Sequence, residues 1–272
     1  MTGNTKALRV RIKSVTSTLQ LTKAMGLVAS SKIRRANDAM TKAREYTEAL
    51  ESSIASLTCA TECQKSPYMR KSDGKRTKLI VIAGDRGLAG GYNNNVFKLA
   101  SQYPDAQIIA IGKRACERYD NPIVSSEHYS FEDAYALADQ LCNDFKEEAF
   151  DRLGIIYTTY HSVMSYDAQI KWLLPLQKTE YEGSAGTIFE PDHLTVLNLS
   201  VREYVAGMIT AYIRESFACE VAARRMAMDS AGKNAKQMID DLSLEYNRAR
   251  QGAITQEITE IVAGSGNYVG KS

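Results

Sequence analysis

The chain has 272 residues, with 34 Lys and Arg against 32 Asp and Glu and 44% hydrophobic side chains. That is enough for two domains of ordinary globular type, and it excludes disordered and collagen-like classes. All five prolines lie between Pro67 and Pro191, so the 66 residues before them and the 81 after them carry none. Those flanks escape the roughly 3 kcal/mol penalty of a helix-interior proline and are free to form long helices.

The near-neutral total hides an uneven split. Residues 1–66 carry 11 basic and 5 acidic side chains, residues 67–191 carry 14 and 17, and residues 192–272 carry 9 and 10. Five thiols, Cys59, Cys63, Cys116, Cys142 and Cys219, form neither a CxxC pair nor a Cys/His array. They point to a reducing compartment and to neither a disulfide framework nor a zinc site. His128, His161 and His193 stand in separate segments and lack metal-ligand spacing. No apolar run approaches the ~20 residues that span a bilayer, and the N-terminus has no apolar signal core.

In chain order, Leu8, Ile12, Val15 and Leu19 step by four and three, and Ala36, Met40, Ala43, Thr47, Leu50, Ile54 and Leu57 resume the same heptad rhythm. Between them Thr22 to Arg35 has apolar residues on more than one side, the pattern of a helix contacted on several faces. Residues 1–44 hold ten Lys or Arg and one acid, Asp38, while the first aromatic is Tyr46. Three uses fit this basic helix: a protein partner with an acidic cavity, nucleic acid held through phosphates, or a solvated face.

The middle, 67–191, reads as α/β. Lys78 to Gly84 and Gln107 to Gly112 are short buried strands with about ten helical residues between them. Phe131 to Phe150 is a helix, Leu153 to Tyr160 a third strand, and Gln169 to Leu174 an edge strand. After the first strand comes Gly84-Asp-Arg-Gly-Leu-Ala-Gly-Gly91, spaced GxxGxxGG rather than GxGxxG, with Lys113 and Arg114 where an acidic residue would close a dinucleotide site. Phosphate cradle and structural turn both remain open for it. No nucleophile elbow, HExxH helix or deaminase pattern occurs.

In the last third Met238, Leu242, Tyr246, Ala249 and Ala253 form a seam followed by Ile254, Ile258 and Ile261, and Val201, Val205, Met208 and Tyr212 keep helical spacing upstream. Two rods of this length cover their seams best as an antiparallel pair closed through the middle domain; a folded bundle needs more loop signals than Gly26, Gly207, Gly232 and Gly252 provide. Close approach of a neighbouring backbone accounts for such glycines, Gly26 excepted. The fold class expected is α+β by segregation: a long antiparallel coiled coil of the 1–66 and 192–272 helices plus a central Rossmann-like α/β domain at 67–191.

Three motifs carry a resemblance: Leu19-Gln-Leu-Thr-Lys-Ala-Met-Gly-Leu-Val-Ala-Ser-Ser-Lys-Ile-Arg-Arg35, the turn Asp85 to Gly91, and Ala222-Ala-Arg-Arg-Met-Ala-Met-Asp229 with Tyr246-Asn-Arg-Ala-Arg-Gln-Gly-Ala-Ile-Thr-Gln-Glu-Ile-Thr-Glu-Ile-Val262. Together they resemble the gamma subunit of F-type ATP synthase. The resemblance implies a central-stalk rotor standing in a ring of alternating alpha and beta subunits. Its foot would bind the epsilon subunit and the membrane c-ring, peripheral on the cytoplasmic or organelle-matrix face. It implies no cofactor, metal, nucleic acid or bilayer insertion, and no catalytic residue of its own; ATP chemistry belongs to the beta subunits. By position, Lys23, Met25, Arg224, Arg250, Gln251, Thr255 and Glu260 match the coupling contacts, and Ile254, Ile258, Ile261 and Val262 an apolar bearing tip. The chain departs from the family at Gly26, Gly84 and Ala89, and in its ending Gly264-Ser-Gly-Asn-Tyr268, a composition that favours fraying. The alternatives are a basic coiled-coil nucleic-acid binder and a small Rossmann-like nucleotide enzyme with helical extensions.

Overall fold

The computed structural model describes residues 3–178 and 188–266, with side chains left undescribed at 3, 4 and 264–266. The end of the sequence from 267, including Asn267 and Tyr268, lies outside the described residues. In chain order the elements are α1 (Gly3–Thr58), two 3-10 turns (Thr61–Lys65 and Pro67–Met69), β1 (Thr77–Ile82), α2 (Tyr92–Ala100), β2 (Gln107–Ile111), α3 (Lys113–Tyr119), α4 (Phe131–Lys146), β3 (Arg152–Ser162), β4 (Ser165–Leu174) and α5 (His193–Gly266). Contacts divide the chain into two compact units, Met1–Val28 with Arg225–Ser272, and Ala29–Arg224. The division falls inside both long helices, whereas the sequence reading sets its boundaries beyond the N-terminal helix and at the entry to the C-terminal one.

In the larger unit a four-stranded sheet has the order β2-β1-β3-β4. β1 pairs in parallel with both β2 and β3, and β3 pairs antiparallel with β4. Period-two alternation in β1 sends Leu79 and Val81 to the α2 face with Val96 and Ala100, and Ile80 and Ile82 to the opposite face. That second face holds the main core: Leu141 and Phe145 of α4, Ile54 and Leu57 of α1, and Val201, Val205, Met208 and Ile209 of α5. α4 starts on a reciprocal cap between Ser130 and Asp133.

A small residue brings α5 close to α1 in this unit. At Gly207 an added Cβ would collide with Leu50 Cδ1 and approach the Tyr46 ring. β1 ends its pairing at Val81 with Ile156, so the next amides of β3 need other acceptors. α5 supplies them: Ser216 Oγ accepts from Thr158 N at 3.1 Å and Glu215 Oε1 from Tyr160 N at 2.9 Å. Arg44 of α1 completes the joint, donating to both Glu215 and the Tyr160 carbonyl.

In the smaller unit α1 and α5 pair antiparallel: Gly26 faces Met228, and Gly232 faces Thr22 and Leu19. The seam of α5 runs through Met228, Gly232, Ala235, Ile239, Leu242, Tyr246, Ala249 and Ala253, all buried or half-buried in strict steps of four and three. Met238, expected on that seam, is instead 44% exposed, because the three-residue step to Leu242 selects Ile239.

The α1 seam likewise keeps its rhythm from Thr5 through Leu8, Ile12, Val15, Leu19, Thr22, Gly26, Ala29 and Ile33 to Ala36 without a break. Off that seam, in the segment from Thr22 to Arg35, Lys32 reaches Glu127 of the α/β domain while Leu27 and Val28 remain exposed. Close backbone approach does not explain Gly232 or Gly252. Gly26 and Gly232 meet side chains at ordinary van der Waals distance, and Gly252 has nothing within 4 Å.

Candidate functional site

Two features stand apart from the packing. The first is the turn Gly84 to Gly91, at the carboxyl end of β1, where the neighbouring strands β2 and β3 depart on opposite sides. This is the switch point at which open α/β sheets bind ligands. Here the chain's own carboxylate fills it. Glu220 of α5 lies so close to Gly84 that an added Cβ would sit 2.6 Å from its carboxyl carbon.

Arg224, one helical turn on, pairs with Glu220 at 2.5 Å; the two side chains are 12% and 3% exposed. Arg224 also donates to the carbonyls of Gly87 and Arg86, both at 3.3 Å. Burial pushes the Glu220 carboxyl up, against the pull of Arg224 and of the Arg86 amide. The glycine turn thus packs around an internal carboxylate, which favours the structural reading of its spacing over a phosphate cradle.

Asp85 anchors the other side. Its Oδ1 accepts from the amides of Ser126 (2.9 Å) and Lys113 (3.1 Å), and its Oδ2 from Ser125 Oγ (2.5 Å) and the Glu127 amide (3.1 Å). Burial pushes its carboxyl up, but the four donors outweigh that and hold it below the usual carboxylate range. Glu127 in turn pairs with Lys32 of α1 at 2.5 Å and with Arg86 at 3.7 Å. Gly112 takes φ +97° where its missing Cβ leaves room for the Ala83 carbonyl. The turn also holds Leu88 at φ +62°, a left-handed conformation costly for a branched apolar residue, with the side chain 61% exposed.

The second feature is the uncovered apolar surface of the helix pair. Val10 and Leu21 on α1, and Leu244, Ile254, Ile258, Ile261 and Val262 on α5, are all exposed. Lys23, Arg250, Gln251, Thr255 and Glu260 are exposed as well, and Met25 is half-buried. Lys23 and Met25 lie where α1 meets Met228 and Gly232. Arg250, Gln251, Thr255 and Glu260 share the last turns of α5 with the four apolar tip residues, several turns further along. Thr255 donates to Gln251 O at 3.0 Å and Glu260 accepts from Gln256 at 3.0 Å, both local bonds within the helix. Arg224 stands apart from this group, because its guanidinium is committed to Glu220 and the glycine turn.

Sequence reasoning singled out the glycine turn and Arg224 but missed Glu220, Asp85, Glu127 and Lys32 as one network. The available signal was the i, i+4 spacing of Glu220 and Arg224 on a helix otherwise buried on all sides.

An α/β domain whose ligand crevice is closed by its own glutamate, joined to long terminal helices that leave apolar side chains uncovered, defines a class: a scaffold subunit built to work inside a larger assembly. A family model described as ATP synthase matches residues 4–266. The chain is 42% identical to the ATP synthase gamma chain of Ruminococcus albus over 97% of its own length and 99% of that protein's. It is 37% identical to that of Staphylococcus epidermidis over 96% and 97%. Among solved structures it matches a chain of the Euglena gracilis mitochondrial ATP synthase OSCP/F1/c-ring assembly with TM-score 0.72 at 19% identity, covering 99% of this chain and 96% of that one. A chain of the Tetrahymena thermophila central stalk/c-ring structure matches with TM-score 0.62 at 21% identity, over 78% and 99%. The chain belongs to the family of ATP synthase gamma subunits, the central-stalk rotor subunits of the F-type enzyme.

Proposed function

We propose that this chain turns inside a ring of alternating alpha and beta subunits and couples ion flow through a membrane c-ring to ATP synthesis or hydrolysis at the beta subunits, itself without catalytic groups. Its partners on this reading are that ring, an epsilon subunit and the c-ring, and it is held peripherally at the membrane through them. The observation that carries the reading is the contrast on the helix pair: one seam per helix is buried, while Leu21, Leu27, Val28, Ile254, Ile258, Ile261 and Val262 remain exposed. Apolar side chains repeated along a helix pair call for cover by another protein.

Arg250 and Gln251 engage a loop of a beta subunit, Thr255 and Glu260 extend that contact, and Lys23 and Met25 make the matching one from α1. The isoleucine-rich end turns in a sleeve where apolar contact lacks the directional bonds that would fix one angle. An asymmetric shaft can shift three catalytic sites among different affinities only by touching each differently at each angle.

Reconstitution tests this. Mixed with alpha and beta subunits of a close relative, the chain is expected to co-purify with them and to confer magnesium-dependent ATP hydrolysis on the set, with no hydrolysis by the chain alone. Failure to assemble, or salt-steep DNA binding in its place, would reject the rotor reading.

A further inference from the structure

Within residues 29–224 the turn Gly84 to Gly91 is gripped from three directions. α5 holds it through Glu220 and Arg224, which bind the Arg86 amide and the Arg86 and Gly87 carbonyls. α1 holds it through Lys32, whose partner Glu127 also faces Arg86. The α/β domain holds it through Asp85, which gathers the start of α3 and the segment Ser125 to Glu127. An ordinary strand-to-helix turn needs none of this. Both terminal helices reach this corner of the domain with charge-assisted bonds, α5 to the backbone of the turn and α1 to the Glu127 carboxylate that flanks Arg86, and such bonds resist sliding and rotation where apolar contacts yield.

We infer that Glu220, Arg224 and Lys32 are positioning residues of a clamp that fastens both terminal helices to the α/β domain through the glycine turn, so that torque carried by the helices reaches the domain without slip. The inference rests on the rotor reading and deepens it. It also gives Arg224 a role distinct from ring contact, because it acts through the turn.

The test uses the assembled complex with alpha and beta subunits, the ring held in one state by a non-hydrolysable ATP analogue and a probe attached to the α/β domain. Angular fluctuations of the probe report torsional stiffness, and hydrogen exchange at the amides of residues 86–88 reports whether the clamp is open. Glu220→Gln and Lys32→Gln are expected to speed exchange at those amides and to cause a loss of stiffness, with magnesium-dependent hydrolysis retained. Arg224→Gln combined with Glu220→Gln should lose no more stiffness than either alone, since both open the same clamp, and Arg224→Lys should restore part of it.

Stiffness unchanged in Glu220→Gln while exchange at 86–88 rises would overturn the inference. So would loss of hydrolysis in Arg224→Gln at unchanged stiffness, which would return that arginine to the ring surface. Where Glu220→Gln fails to fold, Lys32→Gln reads the same clamp from α1. Failure of the unsubstituted protein to assemble would instead reject the rotor reading, so the two failures are told apart.

Discussion

At the residue scale, the helix glycines separate by what surrounds them. Gly26 would place a Cβ 3.7 Å from Met228, and Gly252 would place one in open space. Replacing either by Ala removes the intrinsic helix cost of glycine without a clash, so Gly26→Ala and Gly252→Ala are each expected to raise stability by up to about 1 kcal/mol in denaturant unfolding of the whole chain. Gly207→Ala gains the same propensity but drives a methyl group into Leu50 and Tyr46 in a packed core. Overpacking of that kind costs about 1–3 kcal/mol, so this substitution is expected to destabilise. Asp85 carries a pH signature. Its carboxyl is held lower in the folded chain than in the unfolded one, so its contribution is fully present above the ordinary carboxylate value of ~3.9 and is lost as pH falls through the folded value. Asp85→Asn should therefore unfold more easily than the parent at neutral pH, with the gap closing in acid; a gap that stays constant from pH 7 to pH 3 would reject this account. None of these environments was legible in the sequence. It marks where a glycine stands, whereas Leu50 meets Gly207, and Glu220 meets Gly84, only after distant segments pack.

At the scale of elements, sequence periodicity carried far. A heptad rhythm in proline-free flanks pointed to α1 and α5, and short apolar runs pointed to β1, β2 and β3. The misses have local causes. β4 begins at Ser165, ahead of the expected Gln169, because the two-residue turn at Val163 and Met164 lacks the Asn-Gly or Asp-Gly chemistry that announces a hairpin. Met238 fits the seam in sequence because a step of four suits a helix as well as a step of three. Only the full series from Met228 to Ala253 shows that Ile239 holds the place. The two positions therefore make a paired test of the helix pairing. Ile239→Asn puts a polar amide on the α1-facing seam and is expected to cost about 1–3 kcal/mol, whereas Met238→Asn should stay within about 0.5 kcal/mol of the parent. Thermal melting of the whole chain followed by helical circular dichroism reads the difference, and equal effects would mean the seam is misassigned.

At the scale of the whole molecule, what the chain leaves uncovered matters more than what it buries. The main core and both seams are satisfied internally, so the exposed Ile254, Ile258 and Ile261 contribute little to folding. Their expense is solubility, and their persistence makes sense if another protein covers them. A substitution there should separate folding from assembly. Replacing all three by Asp adds charge to a surface already in water, and the melting of the isolated chain should move little. Inside an apolar sleeve each carboxylate would lose its hydration without a partner, at roughly 3 kcal/mol or more. At about 1.4 kcal/mol per factor of ten, assembly with alpha and beta subunits should weaken by well over 100-fold, and the hydrolysis it confers should fall with it. Replacement by Leu keeps the apolar contact without its exact shape and should preserve both. If the aspartate variant assembles and supports hydrolysis like the parent, the end of α5 is not a bearing, and the contacts that matter lie nearer Arg250 and Gln251. If the isolated variant melts far below the parent, those isoleucines support the fold itself, and their exposure has been misread as a partner surface.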